Sequence, residues 1–261
     1  MLKQGRIHEG KEQMDIIFKI YEGVPRQGPG EDEYTEKAYN LIASKLPAQA
    51  RIIDIGCGHG TQTLRLAELS RGQILATDIH QPFLDRLNEL AKEKSLEQHI
   101  ETRNISMDTL DSLPDESFDL VWSEGAIFVI GFEKGLKEWQ RILKPGGFVV
   151  VSELTWFKGN PPDEAKQFWA KAYPALQDIN ANKQVIADCG YELVEHFKLP
   201  SECWFKNYYD YLTPHILKLK ERYRDNQEAM ELIEQCQLEE QLFRKYNEFY
   251  GYMFYIMRKI Q

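Results

Sequence analysis

The chain lacks any uninterrupted apolar run near the roughly 18 residues that a membrane-spanning helix needs. Its first residues (Lys3, Gln4, Arg6, His8, Glu9) are polar rather than basic and then apolar, which argues against an export signal. Cysteine is scarce: Cys57, Cys189, Cys203 and Cys236 stand apart with no C-x-x-C pair. Neither a zinc site nor a disulfide framework is expected, and free thiols suit a reducing compartment. No H-x-x-x-H spacing or acid cluster calls for a metal. Positive charge is short as well, with 32 Lys and Arg against 41 Asp and Glu and a net charge of -9, the wrong sign for broad contact with a phosphate backbone. There is no repeat and no low-complexity tract. These absences predict a soluble, cytoplasmic chain with no nucleic-acid partner and no integral membrane segment, and they leave its oligomeric state open.

What is present is a packable chain. Hydrophobic residues make up 43% and aromatics 12% of 261 residues, well above a disordered composition. That length suits one α/β domain with helical decoration. Residues 11 to 22 and 33 to 46 read as helices, parted by Gly23-Val-Pro-Arg-Gln-Gly-Pro-Gly30, whose prolines and glycines continue neither. From Arg51 short β-branched runs alternate with amphipathic stretches: Ile52 to Ile55, then 61 to 70, Ile74 to Thr77, then 81 to 94. Strands follow near Ile100 to Ile105 and at Phe118 to Trp122, then a helix over 133 to 143. The stop Lys144-Pro145-Gly146-Gly147 precedes a strand at Gly147 to Ser152. A helix near 163 to 171, one ending at Asp188-Cys189-Gly190, a strand over Tyr191 to Leu199, a helical stretch over 206 to 248 and a strand at Tyr250 to Met257 complete the order. Such alternation predicts a parallel βαβ sheet of seven strands. Around it stand an N-terminal helical arm over 1–46 and inserts at about 154–180 and 206–248.

The segment Asp54-Ile55-Gly56-Cys57-Gly58-His59-Gly60 is a glycine-rich turn between a strand and a helix, where backbone approaches a ligand and helix amides point at it. Glycines there also serve tight strand-helix packing, and several ligand classes share such a turn. Asp54 narrows the choice: a carboxylate there repels a pyrophosphate and attracts a cation, although it also suits capping of the turn. Asp78, at the end of the second strand, is placed to accept hydrogen bonds from two ribose hydroxyls, or else to cap the helix that follows.

On these residues the chain resembles the class I, Rossmann-like S-adenosylmethionine-dependent methyltransferases, in their small-molecule branch. The resemblance implies an α/β fold with a seven-stranded, mostly parallel, doubly wound sheet whose last strand is antiparallel, over 47–261. It implies S-adenosylmethionine as cofactor and S-adenosylhomocysteine as product. Asp54, Gly56, Cys57 and Gly58 then meet the methionine part, Asp78 the ribose, and Ile79 lies beside the adenine. Ile105-Ser106-Met107-Asp108 stands where the family contacts the adenine edge; Ser106 replaces the usual Asp, so the Ser106 hydroxyl and the Met107 backbone are the groups offered there. Phe118 to Ala126 matches the fourth-strand motif and implies Ser123, Glu124 and Gly125 at the methionine end.

Ligands of open parallel sheets sit beyond the C-terminal ends of the strands, and both inserts leave the sheet there. The N-terminal arm has no sheet role and is expected to fold across as a lid, Arg26 or Gln27 meeting the cofactor carboxylate. Aromatics crowd these additions: Trp156, Phe157, Trp169, Tyr173, Trp204, Phe205, Tyr208, Tyr209, Tyr211, Tyr250, Tyr252 and Tyr255. Most are expected in the core between inserts and sheet, with Trp156 and Trp204 as the leading substrate contacts. Glu124, a candidate catalytic base, and Glu153 are placed to remove a proton or bind a polar acceptor; each also suits a cofactor or capping role. His59 reads as a loop residue and His80 as exposed near the adenine. The reading is methyl transfer to a small, partly apolar acceptor at O, N or C. Its rivals are a quinone-type C-methyltransferase, suggested by family resemblance alone, and a catalytically silent cofactor-binding module that recognises a protein. A dinucleotide oxidoreductase is disfavoured by Asp54 and by the missing third glycine of G-x-G-x-x-G. Nucleic-acid methylation is disfavoured by charge and by Ser123-Glu124-Gly125-Ala126, where an N/D-P-P-Y tetrapeptide would stand.

Overall fold

The computed structural model describes residues 11–260. Lys3, Gln4, Arg6, His8 and Glu9, and with them the first ten residues of the N-terminal arm, lie outside the described residues. Among the described residues eight strands are present: β1 (Arg51–Ile55), β2 (Gln73–Asp78), β3 (Ile100–Asn104), β4 (Phe118–Glu124), β5 (Leu143–Trp156), β6 (Gln177–Asp178), β7 (Tyr191–Lys198) and β8 (Tyr250–Lys259). They pair in the order β3-β2-β1-β4-β5-β8-β7, with the two-residue β6 attached to the end of β5. β1 to β5 run parallel, and β8 is antiparallel to both neighbours. The helices are α1 (Lys11–Glu22), α2 (Asp32–Asn40), α3 (Thr61–Ser70), α4 (Gln81–Glu93), α5 (Phe132–Trp139), α6 (Asp163–Ala172), α7 (Ile179–Asp188), α8 (Glu202–Trp204), α9 (Asp210–Arg222) and α10 (Gln227–Tyr246).

The central strands are apolar on both faces because helices cover both faces. Ile52, Leu120, Trp122 and Val150 point into one core, while their strand neighbours Ile53, Val121, Val149 and Val151 point into the other, the period-two alternation of a strand. No helix among the described residues is long and apolar enough to cross a membrane.

Several boundaries depart from expectation. The helix read over 33 to 46 stops at Asn40 and tightens into a 3-10 turn, Ala43–Lys45. Pro47 forces Leu46 into extended geometry (φ -88°, ψ 149°), as the residue before a proline is. β5 begins at Leu143, which pairs with Phe118 before a register shift. At its other end it is held through Trp156 by continuous pairing with β8, so the insert expected from about 154 starts only after Trp156. The stretch over 206 to 248 is several helices. α8 precedes it, it opens within a π-helical segment, Phe205–Tyr209, and it is broken after α9, where the Asn226 side chain accepts from the Ala229 N–H and starts α10. β6 is too short for any pattern to mark.

Candidate active site

A cleft opens at the C-terminal ends of β1, β2 and β4, with α1 lying over it. Its floor is backbone: Gly56 and Gly58 after β1, and Gly125 after β4. On the β2 and β3 side it is lined by Asp78, Ile79, Phe83, Ile105 and Met107, and on the β4 and β8 side by Phe128, Val129, Tyr208 and Tyr252. Met14, Ile17, Phe18 and Tyr21 of α1, with Gln27 to Pro29, complete it. Its empty space, open solvent at the mouth included, is about 950 Å³.

Asp54, at the end of β1, is fully buried. Thr63, in the first turn of α3, donates to its Oδ2 at 2.6 Å, and its Oδ1 has no partner among the described residues. Burial pushes this carboxyl up to about 7; the Thr63 bond eases the rise and nearby Glu124 adds to it. A cation arriving beside such an acid favours its charged form. Above it the loop must come close to its surroundings. Gly56 has φ +72°, and a Cβ there would lie 2.6 Å from the Ala126 Cβ; Gly58 has φ +56°, and a Cβ there would meet the Gln27 Oε1 at 2.4 Å. Only glycine takes that conformation at such close quarters without strain.

Asp78 organises the same loop from β2. The Gly58 N–H donates to its Oδ2 at 3.0 Å and the His80 N–H to its Oδ1 at 2.9 Å. A carboxylate has about four acceptor positions, so these backbone donors do not fill it, and Asp78 lines the cleft. Burial raises this carboxyl, against the backbone donors that lower it. His80 is not the exposed residue expected. The arm covers it: its ring stacks on Phe18 with centroids 4.0 Å apart, and its Nε2 lies 2.7 Å from the Glu22 Oε1.

The loop after α1 reaches the sheet through Arg26, whose Nη2 donates to the Glu124 Oε2 at 2.5 Å. The Glu124 Oε1 accepts from the Thr35 hydroxyl at 2.7 Å and from the Trp122 Nε1 at 2.9 Å. Glu124 is therefore a tie between arm and β4 rather than the free base expected from its position. Gln27 accepts at Oε1 from the His59 N–H at 2.7 Å and donates from Nε2 to the Val24 carbonyl at 3.0 Å, which seats it over the glycine loop.

Other expected site residues point elsewhere. The Ser106 hydroxyl donates to the Asp108 Oδ1 at 2.5 Å and is turned into its own loop; Met107 lines the cleft with its side chain, while its carbonyl accepts from the Trp139 Nε1. Ser123 is fully buried and donates to the Ile55 carbonyl at 2.8 Å, pinning β4 to β1. The Cys57 side chain packs in the core. Trp204 stacks on Phe243 with centroids 4.0 Å apart, and Trp156 packs edge-on against Tyr250. Neither indole lines the cleft, because the insert helices press both against β8. Glu153 is buried and does not line the cleft. Of the aromatics in the inserts and on β8, Tyr208 and Tyr252 line the cleft, whereas Tyr211 is exposed. Sequence reasoning missed Phe128 and Val129, and it missed the face of α1 formed by Met14, Ile17, Phe18 and Tyr21. Their i, i+3, i+4, i+7 spacing was the available signal.

These residues fit the cofactor that the resemblance implies: a buried acid with a free oxygen under the loop, glycines where a Cβ has no room, and a second acid with acceptor positions to spare. Among the described residues no group of three or more His, Cys, Asp or Glu could hold a metal ion, and the four cysteines are buried and free.

A sheet of this strand order, with an antiparallel last strand and an acidic glycine loop after β1, is the class I, Rossmann-like methyltransferase fold. Residues 53–151 match the family model of a methyltransferase domain. It is 36% identical over 113 residues to a dimethylglycine N-methyltransferase of Parasynechococcus marenigrum, a match covering 43% of this chain and 40% of that protein. It is 32% identical over 149 residues to the ubiquinone/menaquinone biosynthesis C-methyltransferase UbiE of Geotalea daltonii, covering 56% and 63%. The chain spans less than half the length of the first of these relatives. A solved S-adenosylmethionine-dependent methyltransferase from Geobacter sulfurreducens, in complex with S-adenosylhomocysteine, superposes with a TM-score of 0.75 at 20% identity over 92% of this chain and 96% of that one, a likeness of fold.

Proposed function

We propose that this chain is a cytoplasmic S-adenosylmethionine-dependent methyltransferase acting on a small, partly apolar molecule at an O, N or C atom. The observation that carries the reading is Asp78, which ties the Gly58 N–H to the end of β2 while lining the cleft at the strand ends. Asp78 holds the ribose, with Ile79, Phe83 and Met107 around the base. Asp54 supplies negative charge beneath the methionine end, and the Gly56 and Gly58 backbone lets that end lie against the loop. When bound, the cofactor supplies a methyl carbon activated by a sulfonium. The chain's own task is to align an acceptor lone pair with that carbon and exclude water, from which much of the acceleration of such a transfer derives. Residues 11–46 serve as the lid, closed by the Arg26–Glu124 tie and by Gln27 over the loop.

Titration calorimetry tests this reading. S-adenosylhomocysteine is expected to bind and NAD is not; tight NAD binding without S-adenosylhomocysteine binding overturns it. A labelled methyl group recovered on small molecules of a cell extract then reports turnover, and its absence together with a stable protein partner favours the silent module. The UbiE likeness and the apolar cleft walls support one second reading, a quinone-type C-methyltransferase, for which label would appear on a prenylated quinone.

A further inference from the structure

Tyr208 and Tyr252 are each 1% exposed, and both line the cleft. Neither hydroxyl makes a hydrogen bond among the described residues, and neither is sealed away from the cleft. A buried tyrosine hydroxyl ordinarily finds a partner. Two of them left open toward one cavity therefore mark a place for the polar groups of a ligand.

Tyr252 stands on β8, opposite Leu154 of β5, and its hydroxyl reaches over the cleft floor. That oxygen is the nearest atom, at 3.1 Å, to the position a Cβ on Gly125 would take. Trp204 of α8 packs against the Tyr252 ring with centroids 4.9 Å apart, which restrains the phenol. Tyr208 comes from the π-helical segment Phe205–Tyr209, a rare turn found mostly at functional sites. Within it the Tyr209 hydroxyl donates to the Glu239 Oε1 of α10 at 3.3 Å, while Tyr208 lines the cleft. Asn207 donates from Nδ2 to the Gly30 carbonyl at 3.0 Å and ties this segment to the loop between α1 and α2.

The surroundings of the two hydroxyls are apolar. Ala126, Phe128 and Val129 line the same side, and Asp78, on the β2 side, is the only Asp, Glu, Lys, Arg or His that lines the cleft among the described residues. The buried acids Glu239 and Glu153 act on Tyr252 but line no part of it. A carboxylate or an ammonium lodged at this end would meet no counter-charge on the cleft surface, and burying an unpaired charge is costly. Burial holds both phenols well above their ordinary value, so they keep their protons and offer hydrogen bonds to oxygen.

We infer that Tyr208 and Tyr252 bind the oxygen functions of the methyl acceptor, an uncharged and largely apolar molecule that carries hydroxyl or carbonyl groups. The inference rests on the methyltransferase reading and narrows its acceptor class: the phenols grip oxygen while the apolar body lies against Phe128 and Val129.

Naphthalene, 2-naphthol and 2-naphthylmethylammonium share one ring system and differ in the group attached, which makes them the probes. Calorimetry on the full chain at pH 7, saturated with S-adenosylhomocysteine, is expected to show 2-naphthol binding about tenfold more tightly than either of the others. Tyr208→Phe combined with Tyr252→Phe is expected to abolish the preference over naphthalene while S-adenosylhomocysteine affinity stays unchanged. Equal affinities, tighter binding of the ammonium, binding of no probe, or a preference that survives in the double variant would each overturn the inference. A loss of S-adenosylhomocysteine affinity in the double variant would assign the hydroxyls to the cofactor and overturn it as well. The comparison of probes in the unaltered protein stands even where the variant folds poorly. Failure of S-adenosylhomocysteine to bind the unaltered protein would instead overturn the underlying methyltransferase reading.

Discussion

Arg26, on the loop after α1, and Glu124, the last residue of β4, form a buried ion pair at 2.5 Å that ties the arm to the sheet. Thr35 and Trp122 saturate the other carboxylate oxygen, so the charge of Glu124 is balanced chiefly by Arg26. Removing one partner of such a pair strands the other charge and costs about 3–5 kcal/mol, whereas removing both strands neither. Arg26→Met is expected to lower unfolding free energy by that amount, and Arg26→Met with Glu124→Gln to recover about 1 kcal/mol or more of it. Urea denaturation of the four proteins checks the cycle; losses that simply add would show that the pair does not couple arm to sheet.

Asp78 has two duties, holding the glycine loop and, on the proposed function, accepting from the ribose. Asp78→Ala is expected to weaken S-adenosylhomocysteine binding by about 1–3 kcal/mol, the cost of leaving hydroxyls without a charged acceptor. A 2′-deoxy analogue separates the duties: it should bind the unaltered protein more weakly than the parent nucleoside, and the difference should vanish in Asp78→Ala. A deoxy penalty of equal size in both proteins would assign Asp78 to the loop alone.

The glycine loop and the strands were legible in sequence because their signals are local. Asp54, Gly56 and Gly58 sit at a fixed spacing after an apolar run, and runs such as Ile52 to Ile55 are buried on both faces. Residues whose partners lie far along the chain were not legible. Glu124 reads as a free acid until Arg26, 98 positions away, is seen to bond it. Ser123 reads as a cofactor contact until its hydroxyl is found on the Ile55 carbonyl. Aromatic composition named Trp156 and Trp204 for substrate, yet which face of an insert meets the cleft depends on how its helices pack against β8. The face of α1 was visible as a stripe, but a stripe reports burial and not what it is buried against.

His80 latches the arm at the cleft mouth by stacking on Phe18 and bonding Glu22. Burial raises the Glu22 carboxyl, but the bonds from Lys19 and His80 outweigh it and hold that group low, so the acid is charged at neutral pH. Losing one aromatic contact and one hydrogen bond on the lid should hasten its opening more than it unfolds the chain. His80→Ala is expected to speed S-adenosylhomocysteine release by roughly three- to tenfold, with a loss of about 1 kcal/mol in global stability. Stopped-flow displacement measures it, and an unchanged release rate would mean that α1 does not gate the cleft.

Asp54 and Glu153 give the ligand-free protein an unusual dependence on pH. Burial raises their carboxyls to about 7 and about 8, against roughly 3.9 and 4.3 for the unfolded chain. Between those limits the native state binds more protons than the unfolded one, so stability falls as pH rises. Their contribution is complete below the unfolded values and lost as pH passes through 7 and 8. From pH 5.5 to 8.5 unfolding free energy should drop by ~5 kcal/mol, or roughly 10–20 °C in Tm for a chain of this size. Glu153→Gln should flatten the upper part of that slope. An ammonium above Asp54 favours the charged acid, so the rise in Tm produced by S-adenosylhomocysteine should grow with pH through 7, because the ligand then meets an acid that is already ionised. Calorimetric scans with and without ligand across this range check both slopes. A ligand-free Tm that is flat or rises with pH would show that neither carboxyl is held protonated in the fold, and a ligand-induced shift independent of pH would remove Asp54 from the cation's surroundings.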